Sequence, residues 1–176
     1  KRMNTSLINT EVQPFKATAY YNGRFIDGTE ASLKGEWTVM FFYPADFTFV
    51  CATEFEALAE HQDHFKKLGC DIVTMSRDTK YTHLAWRAHE KELQDVKYLM
   101  GSDVKGDVAR ELGCYDEGSG LTLRGTYLIS PTGTLTASEV NFYNVGRNVE
   151  ELLRKFKANL YLSKKPTEVC PAKWKD

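Results

Sequence analysis

Trp37-Thr38-Val39-Met40-Phe41-Phe42-Tyr43 is an apolar run with little alternation, closed by Pro44 and followed after a short loop by Cys51. Apolar residues at both odd and even positions mark a strand covered on both faces, as in sheets flanked by helices. Pro44 ends it, because proline has no N–H to give to a ladder. After the loop, Val50 to Leu68 carries Phe55, Leu58, Ala59, Phe65 and Leu68 at helical spacing, and Gly69 supplies the stop. This strand, loop and helix form the unit from which the rest of the chain is read.

Towards the N-terminus, Phe15 to Tyr21, Asn22-Gly23 and Arg24 to Asp27 read as a hairpin with a type I′ turn. Towards the C-terminus, Asp71 to Ser76 reads as a strand and Thr79 to Gln94 as a helix with Leu84, Trp86 and Leu93 among charges. Lys97 to Met100 reads as a short strand, and Val108 to Leu112 as a short helix ended by Gly113. Thr126 to Ile129, the turn Pro131-Thr132-Gly133 and Leu135 to Tyr143 form a second hairpin, and a last helix runs from Asn148 to Leu162. Strands alternating with helices give an α/β class with a mixed central sheet. Residues 1–162 are expected to form one domain. Residues 163–176, with two prolines, several lysines and no periodicity, are expected to be an arm over the surface.

The chain has 176 residues, a formal charge of −1 and 42% hydrophobic residues. Near-neutrality gives no electrostatic footprint for nucleic acid or an anionic membrane, and the apolar fraction is too high for a disordered chain. At this length about 70% of the unfolded surface can be buried, so a core forms without staples. Four cysteines are too sparse for a disulfide scaffold. No apolar stretch is long enough for a membrane span. Lys1 to Thr10 contains no apolar core of a signal peptide, so a reducing, cytoplasmic address is expected. Met3 reads as the native first residue, with Lys1-Arg2 foreign to the protein.

Cys51 falls in the first turn of the helix after the buried strand. Unpaired N–H groups and the helix dipole favour a thiolate there. Functional groups also gather where a strand of an open α/β sheet turns into a helix. The competing reading is a small buried hydrophobe, the usual fate of a lone cysteine. Thr48 lies on the same side of that turn, within reach of the sulfur or of a bound substrate oxygen. An unperturbed thiol is about 3% thiolate at pH 7, so full ionisation gains at most about 30-fold, or about 2 kcal/mol. Charge on the departing atom must therefore be stabilised by a cation.

Arg124, just ahead of Thr126 to Ile129, is the better candidate cation, and Arg147, at the start of the last helix, a supporting one. Glu54, one turn after Cys51, could hold an arginine in place; the competing reading is an exposed helix carboxylate. Cys170, in Glu168-Val169-Cys170-Pro171, is a thiol where packing gives little reason for one, and so a plausible partner for Cys51. Cys70 reads as structural and Cys114 as semi-exposed. No Cys-x-x-Cys occurs, the four histidines show no ligand spacing, and no metal is assigned.

Pro44-x-x-x-Thr48-x-x-Cys51, followed by Glu54, Arg124 and Val169-Cys170-Pro171-Ala172-Lys173-Trp174, closely resembles the typical two-cysteine peroxiredoxins. The nearest branch is that of the peroxidase subunit of bacterial alkyl hydroperoxide reductase. The resemblance extends to Ser6-Leu7-Ile8-Asn9, Thr82-His83-Leu84-Ala85-Trp86 and Gly146-Arg147. It implies a thioredoxin-like fold with an added N-terminal hairpin and no cofactor. It implies a thiol-dependent peroxidase acting on hydrogen peroxide and organic hydroperoxides. Cys51 would attack as thiolate and become a sulfenic acid, Thr48 and Arg124 would hold the peroxide oxygens, and Pro44 would shield the pocket. Cys170 of a second subunit would then form a disulfide with Cys51, reduced by thioredoxin or a flavoprotein reductase. Homodimers assembling to decamers are implied, with Thr82, His83 and Trp86 at an interface. The over-oxidation-sensitive branch carries a Gly-Gly-Leu-Gly insertion and a C-terminal Tyr-Phe helix. This sequence has Asp116-Glu117-Gly118-Ser119-Gly120 and ends six residues after Cys170, which implies resistance to over-oxidation.

Two other readings compete. A cysteine hydrolase would need His61 or His64, which lie about 15 to 20 Å from Cys51 along the same helix. A redox-controlled oligomer acting as a holdase or sensor would use the same cysteines without turnover.

Overall fold

The computed structural model describes residues 6–176. Met3 lies outside the described residues. The chain opens with β1 (Lys16–Tyr21) and β2 (Arg24–Thr29), then β3 (Trp37–Phe42), α1 (Phe49–Lys67), β4 (Cys70–Ser76) and α2 (Lys80–His89). It continues with β5 (Leu99–Ser102), α3 (Asp107–Leu112), β6 (Tyr115–Asp116), β7 (Leu121–Thr122), β8 (Arg124–Ile129), β9 (Leu135–Asn141) and α4 (Val149–Lys164). Seven strands form one sheet in the order β2-β1-β5-β4-β3-β8-β9, while β6 and β7 make a separate two-stranded ribbon. β3, β4 and β5 run parallel; β1 and β8 flank them antiparallel. The result is the expected thioredoxin-like α/β fold with a mixed central sheet and an N-terminal hairpin.

Every residue of β3 is buried, and its two faces feed two cores. Trp37, Val39, Phe41 and Tyr43 point to the side of α1, α2 and α4, where Phe55, Phe65, Trp86 and Phe156 close a largely aromatic core. Met40 and Phe42 point to the other side, against Val108 and Leu112 of α3. This two-sided burial is why the run lacks alternation. In the first hairpin, Asn22 (φ 46°) and Gly23 (φ 82°) both have the positive φ that a type I′ turn demands.

The helix expected over Thr79 to Gln94 stops at His89. Glu90 is extended (φ −85°, ψ 124°), and Lys91–Leu93 is a 3-10 turn. Trp86 and Leu93 are both fully buried, and their spacing of about two turns fits a continuous helix and a broken one alike. The strand expected at Lys97 to Met100 is shifted to Leu99–Ser102. Lys97 instead gives its N–H to Gln62 Oε1, and Gly101 and Ser102 pair with Met75 and Ser76. Arg124 is the first residue of β8, not its forerunner. The last helix runs two residues further than expected, to Lys164. The arm beyond it folds back on that helix: Arg154 donates to the Trp174 carbonyl at 3.1 Å, and Trp174 packs on Tyr161. Cys114, expected to be semi-exposed, is fully buried against Tyr127 and α3, and Cys70 is buried as expected.

Trp86 packs against Tyr43 and Phe55, and its Nε1 has no hydrogen-bond partner among the described residues. Trp86→Ala should therefore cost about 3 to 5 kcal/mol in urea unfolding through the cavity alone. Trp86→Phe should cost markedly less, because no hydrogen bond is lost with the indole.

Candidate active site

The loop from Pro44 to Thr48 leaves β3 in the core and delivers α1 beside the end of β8. Its course is set by buried polar bonds. Tyr43 donates its phenol to Asp46 Oδ1 at 2.6 Å, Asp46 Oδ2 lies 2.6 Å from His83 Nδ1, and the Asp46 N–H reaches Asp78 Oδ2 at 2.9 Å. His83 Nε2 faces the Gly101 carbonyl at 2.9 Å. With Asp46 ionised both imidazole nitrogens face acceptors, an arrangement that suits the protonated ring, while burial raises the Asp46 carboxyl against the pull of His83. Burial works against the charge on His83, but the Asp46 and Gly101 oxygens outweigh it and raise its pKa. Phe47 has a left-handed backbone (φ 59°), a conformation that costs about 1 to 2 kcal/mol for a non-glycine residue. The anchored Asp46 on one side and ring contacts with Trp86 and His89 on the other hold it.

Thr48 is the N-cap residue of α1, which makes Cys51 the third residue of the helix. The Thr48 hydroxyl makes no bond to the sulfur; it donates to the Ala45 carbonyl at 2.8 Å, and the residue is exposed. Pro44 is buried at the foot of the loop. Cys51 is fully buried, and its sulfur receives Arg124 Nη1 at 3.3 Å.

Arg124 is itself held from two directions. Nη1 also donates to Glu54 Oε1 at 2.6 Å, and Nε donates to the Tyr143 carbonyl at 2.6 Å. Glu54 is therefore not an exposed helix carboxylate: its side chain is 2% exposed. Its Oε2 accepts Arg147 Nε at 2.7 Å and the Arg147 N–H at 3.0 Å, and Oε1 accepts Arg147 Nη2 at 2.9 Å. Arg147 lies flat on Phe41, its guanidinium carbon 3.3 Å from the ring centroid. Burial lowers its pKa from the ordinary guanidinium value, opposed by Glu54.

Of the expected residues, Cys51, Glu54, Arg124 and Arg147 thus converge, and Pro44 and Thr48 lie in the loop that leads to them. Cys170 does not join them; its sulfur is half-buried beside the Ala158 carbonyl of α4, 3.8 Å away. His83 and Trp86 are fully buried inside the chain. Thr82 is partly exposed and bonded to the N-cap Thr79, and the outward residues there are Tyr81 and Leu84. His61 bonds the Ala57 carbonyl of its own helix at 2.9 Å, and among the described residues no hydrogen bond joins a histidine to Cys51, whose sulfur is contacted by Arg124. Desolvation pushes the Cys114 thiol up to about 12 and raises that of Cys70 too. Asp46 and the Tyr143 carbonyl were missed in the sequence. Asp46 stood in the Pro44–Cys51 segment, but nothing local pairs it with a histidine in α2, and a backbone acceptor leaves no mark on residue type.

Fold and site together define a thioredoxin-like protein with a buried cysteine at a helix start under an arginine. Residues 8–138 match the AhpC/TSA family. Alkyl hydroperoxide reductase C of Salmonella typhimurium is 46% identical over 171 residues, covering 97% of this chain and 91% of that one. The Bacillus subtilis protein of the same name is 43% identical over 97% of this chain and 91% of its own. Among solved structures, Enterococcus faecalis AhpC superimposes with a TM-score of 0.92 at 38% identity, covering 95% of this chain and all of that one. A reduced 2-Cys peroxiredoxin of Plasmodium vivax gives 0.92 at 30% identity, covering 97% and 90%. The chain belongs to the AhpC/TSA family. The matched segment holds Pro44, Thr48, Cys51, Glu54 and Arg124, while Arg147 and Cys170 lie beyond it.

Glu54→Gln keeps the shape and removes the charge between two buried guanidinium groups. It should lower stability by about 3 to 5 kcal/mol in urea titration, as expected when one member of a buried ion network is lost. The His83 contribution should have the opposite pH sense to a carboxylate's. With a folded pKa above the ordinary value of about 6.5, its share is complete below that pH and is lost as pH rises through the folded value. The stability advantage of the wild type over His83→Gln should therefore shrink on going from pH 6 to 9; an advantage that grows would exclude the doubly donating imidazolium.

Proposed function

We propose that this peroxiredoxin carries out thiol-dependent peroxide reduction with Cys51 as the attacking sulfur. The observation that carries the reading is the 3.3 Å approach of Arg124 to the Cys51 sulfur while Glu54 fixes the same nitrogen at 2.6 Å. A guanidinium in that place stabilises negative charge first on sulfur and then on the departing oxygen, without reorganising during the reaction. Nη2 of Arg124 takes part in none of the contacts described and is the group offered to the peroxide. The Thr48 hydroxyl already spends its proton on Ala45, so its oxygen serves as acceptor for the peroxide O–H.

The thiolate attacks the terminal oxygen of a hydroperoxide. A sulfur–oxygen bond forms as the oxygen–oxygen bond breaks, and the alkoxide or hydroxide leaves as alcohol or water after protonation. Sulfur is oxidised to sulfenic acid and the peroxide is reduced. Cys170 of a second copy then displaces water from the sulfenic acid to give an intersubunit Cys51–Cys170 disulfide, and an external thiol or flavoprotein disulfide reductase returns both thiols. The pairing between copies is supported by the position of Cys170 beside Ala158, about ten residues or 15 Å along α4 from the Arg147 end. Because Cys51 is fully buried, the first turn of α1 must open before any second sulfur can reach it. We place the enzyme in the cytoplasm, where such a disulfide is transient. The assembly is a homodimer that builds further to a decamer, and residues 163–176 act as the arm that carries Cys170.

Arg124→Ala should lower the second-order rate constant for hydrogen peroxide by about 100-fold or more, read by stopped-flow tryptophan fluorescence. Cys170→Ser should still form sulfenic acid at Cys51, detected by mass spectrometry after one equivalent of peroxide, but give no disulfide-linked dimer on a non-reducing gel. If Cys51 stays a free thiol while another cysteine is oxidised, the assignment fails.

A further inference from the structure

The site contains one element that the peroxide chemistry alone does not account for: the β6–β7 ribbon and its tip, Asp116 to Gly120. β7 leads through Leu123 into Arg124, and the ribbon tip reaches the arginine's side chain through Tyr143, which follows β9. The Tyr143 phenol donates to Asp116 Oδ2 and lies 2.6 Å from Ser119 Oγ. Its backbone carbonyl, on the same residue, accepts Arg124 Nε at 2.6 Å. The geometry points to Tyr143 as a positioning residue for Arg124, clamped by Asp116 and Ser119 of the ribbon tip.

Three observations make the clamp firm enough for that role. Asp116 is preset as an acceptor: the Gly118 N–H reaches its Oδ1 at 3.0 Å, and the tyrosine bond, with help from Ser119, holds its carboxyl below the usual range. The ribbon is anchored to the floor of the site, because Thr122 Oγ1 donates to the Tyr43 carbonyl at 2.6 Å in a buried bond. Arg77 ties the tip from below through the Gly120 carbonyl and the Tyr115 hydroxyl. The loop that Tyr143 begins ends at Arg147, which is bound to Glu54. Fixing its first residue therefore fixes the Nε side of Arg124, while Glu54 fixes the Nη1 side. A guanidinium gripped at one nitrogen can pivot; one gripped at two cannot.

The inference rests on the Cys51–Arg124 reading above, and a double-mutant cycle separates the two. Tyr143→Phe keeps the ring and removes only the clamping hydroxyl. It should lower the hydrogen peroxide rate constant of Cys51 by about 10-fold, the scale of a small misplacement of a catalytic group. Alkylation of Cys51 by iodoacetamide, read at its high-pH plateau where ionisation is complete and no oriented peroxide is needed, should keep its rate. Asp116→Asn should act in the same direction without touching the tyrosine. In an Arg124→Ala background, Tyr143→Phe should have no further effect, because the group it positions is gone. Equal losses in both backgrounds, or a peroxide rate unchanged by both Tyr143→Phe and Asp116→Asn, overturn the positioning role. An Arg124→Ala variant with full peroxide reactivity overturns instead the reading on which it rests.

Discussion

The Glu54 carboxylate, buried between Arg124 and Arg147, is the constraint on which the rest of the site depends. Two guanidinium groups would not enter the same dry space unaided, since desolvating one ion costs several kcal/mol and their mutual repulsion adds to it. One carboxylate that accepts from both makes the arrangement tenable. It also orders it: Glu54 sits one turn after Cys51, so the helix that carries the cysteine also carries the anion that places an arginine beside it. The Phe41 ring beneath Arg147 and the carbonyls of Gly125 and Tyr143 complete the enclosure.

The fold supplies the rigidity this network needs. Every residue of β3 is buried, so the strand end that releases Pro44 has no freedom to shift, and β8 places Arg124 from the neighbouring strand. The loop between β3 and α1 is held by a second buried pair, Asp46 with His83 at 2.6 Å. Cys51 thus lies between two buried networks, one aligning Arg124 and one aligning the loop. Phe47 stays in its unfavourable backbone state because both neighbours are committed elsewhere.

Much of this was legible in the sequence for a definite reason. The unbroken run Trp37 to Tyr43 announces two-sided burial, the Val50 to Leu68 periodicity announces the helix, and Cys51 falls where they meet. Asn22-Gly23 needs no tertiary context to specify its turn. What could not be read came from long-range compensation. Glu54 looks like any helix carboxylate until two arginines some 70 and 93 residues away converge on it. His83 and Trp86 matched a motif, but a motif does not say whether a side chain faces inwards, and here both do. The break after His89 was hidden because Leu93 keeps the phase of Trp86, and β5 was misplaced because Gly101 and Ser102 lack strand-forming side chains.

The burial of Cys70 and Cys114 has a chemical consequence for a protein that meets oxidant. Both thiols are kept neutral by desolvation, whereas Cys51, just as enclosed, has a guanidinium nitrogen 3.3 Å from its sulfur. Thiol–disulfide exchange proceeds through thiolates that can approach one another. The two neutral sulfurs are therefore removed from exchange, and of the six pairings that four cysteines allow, five are suppressed by solvation alone. Disulfide isomer selection in this chain is thus a property of the hydrophobic core as much as of the active site.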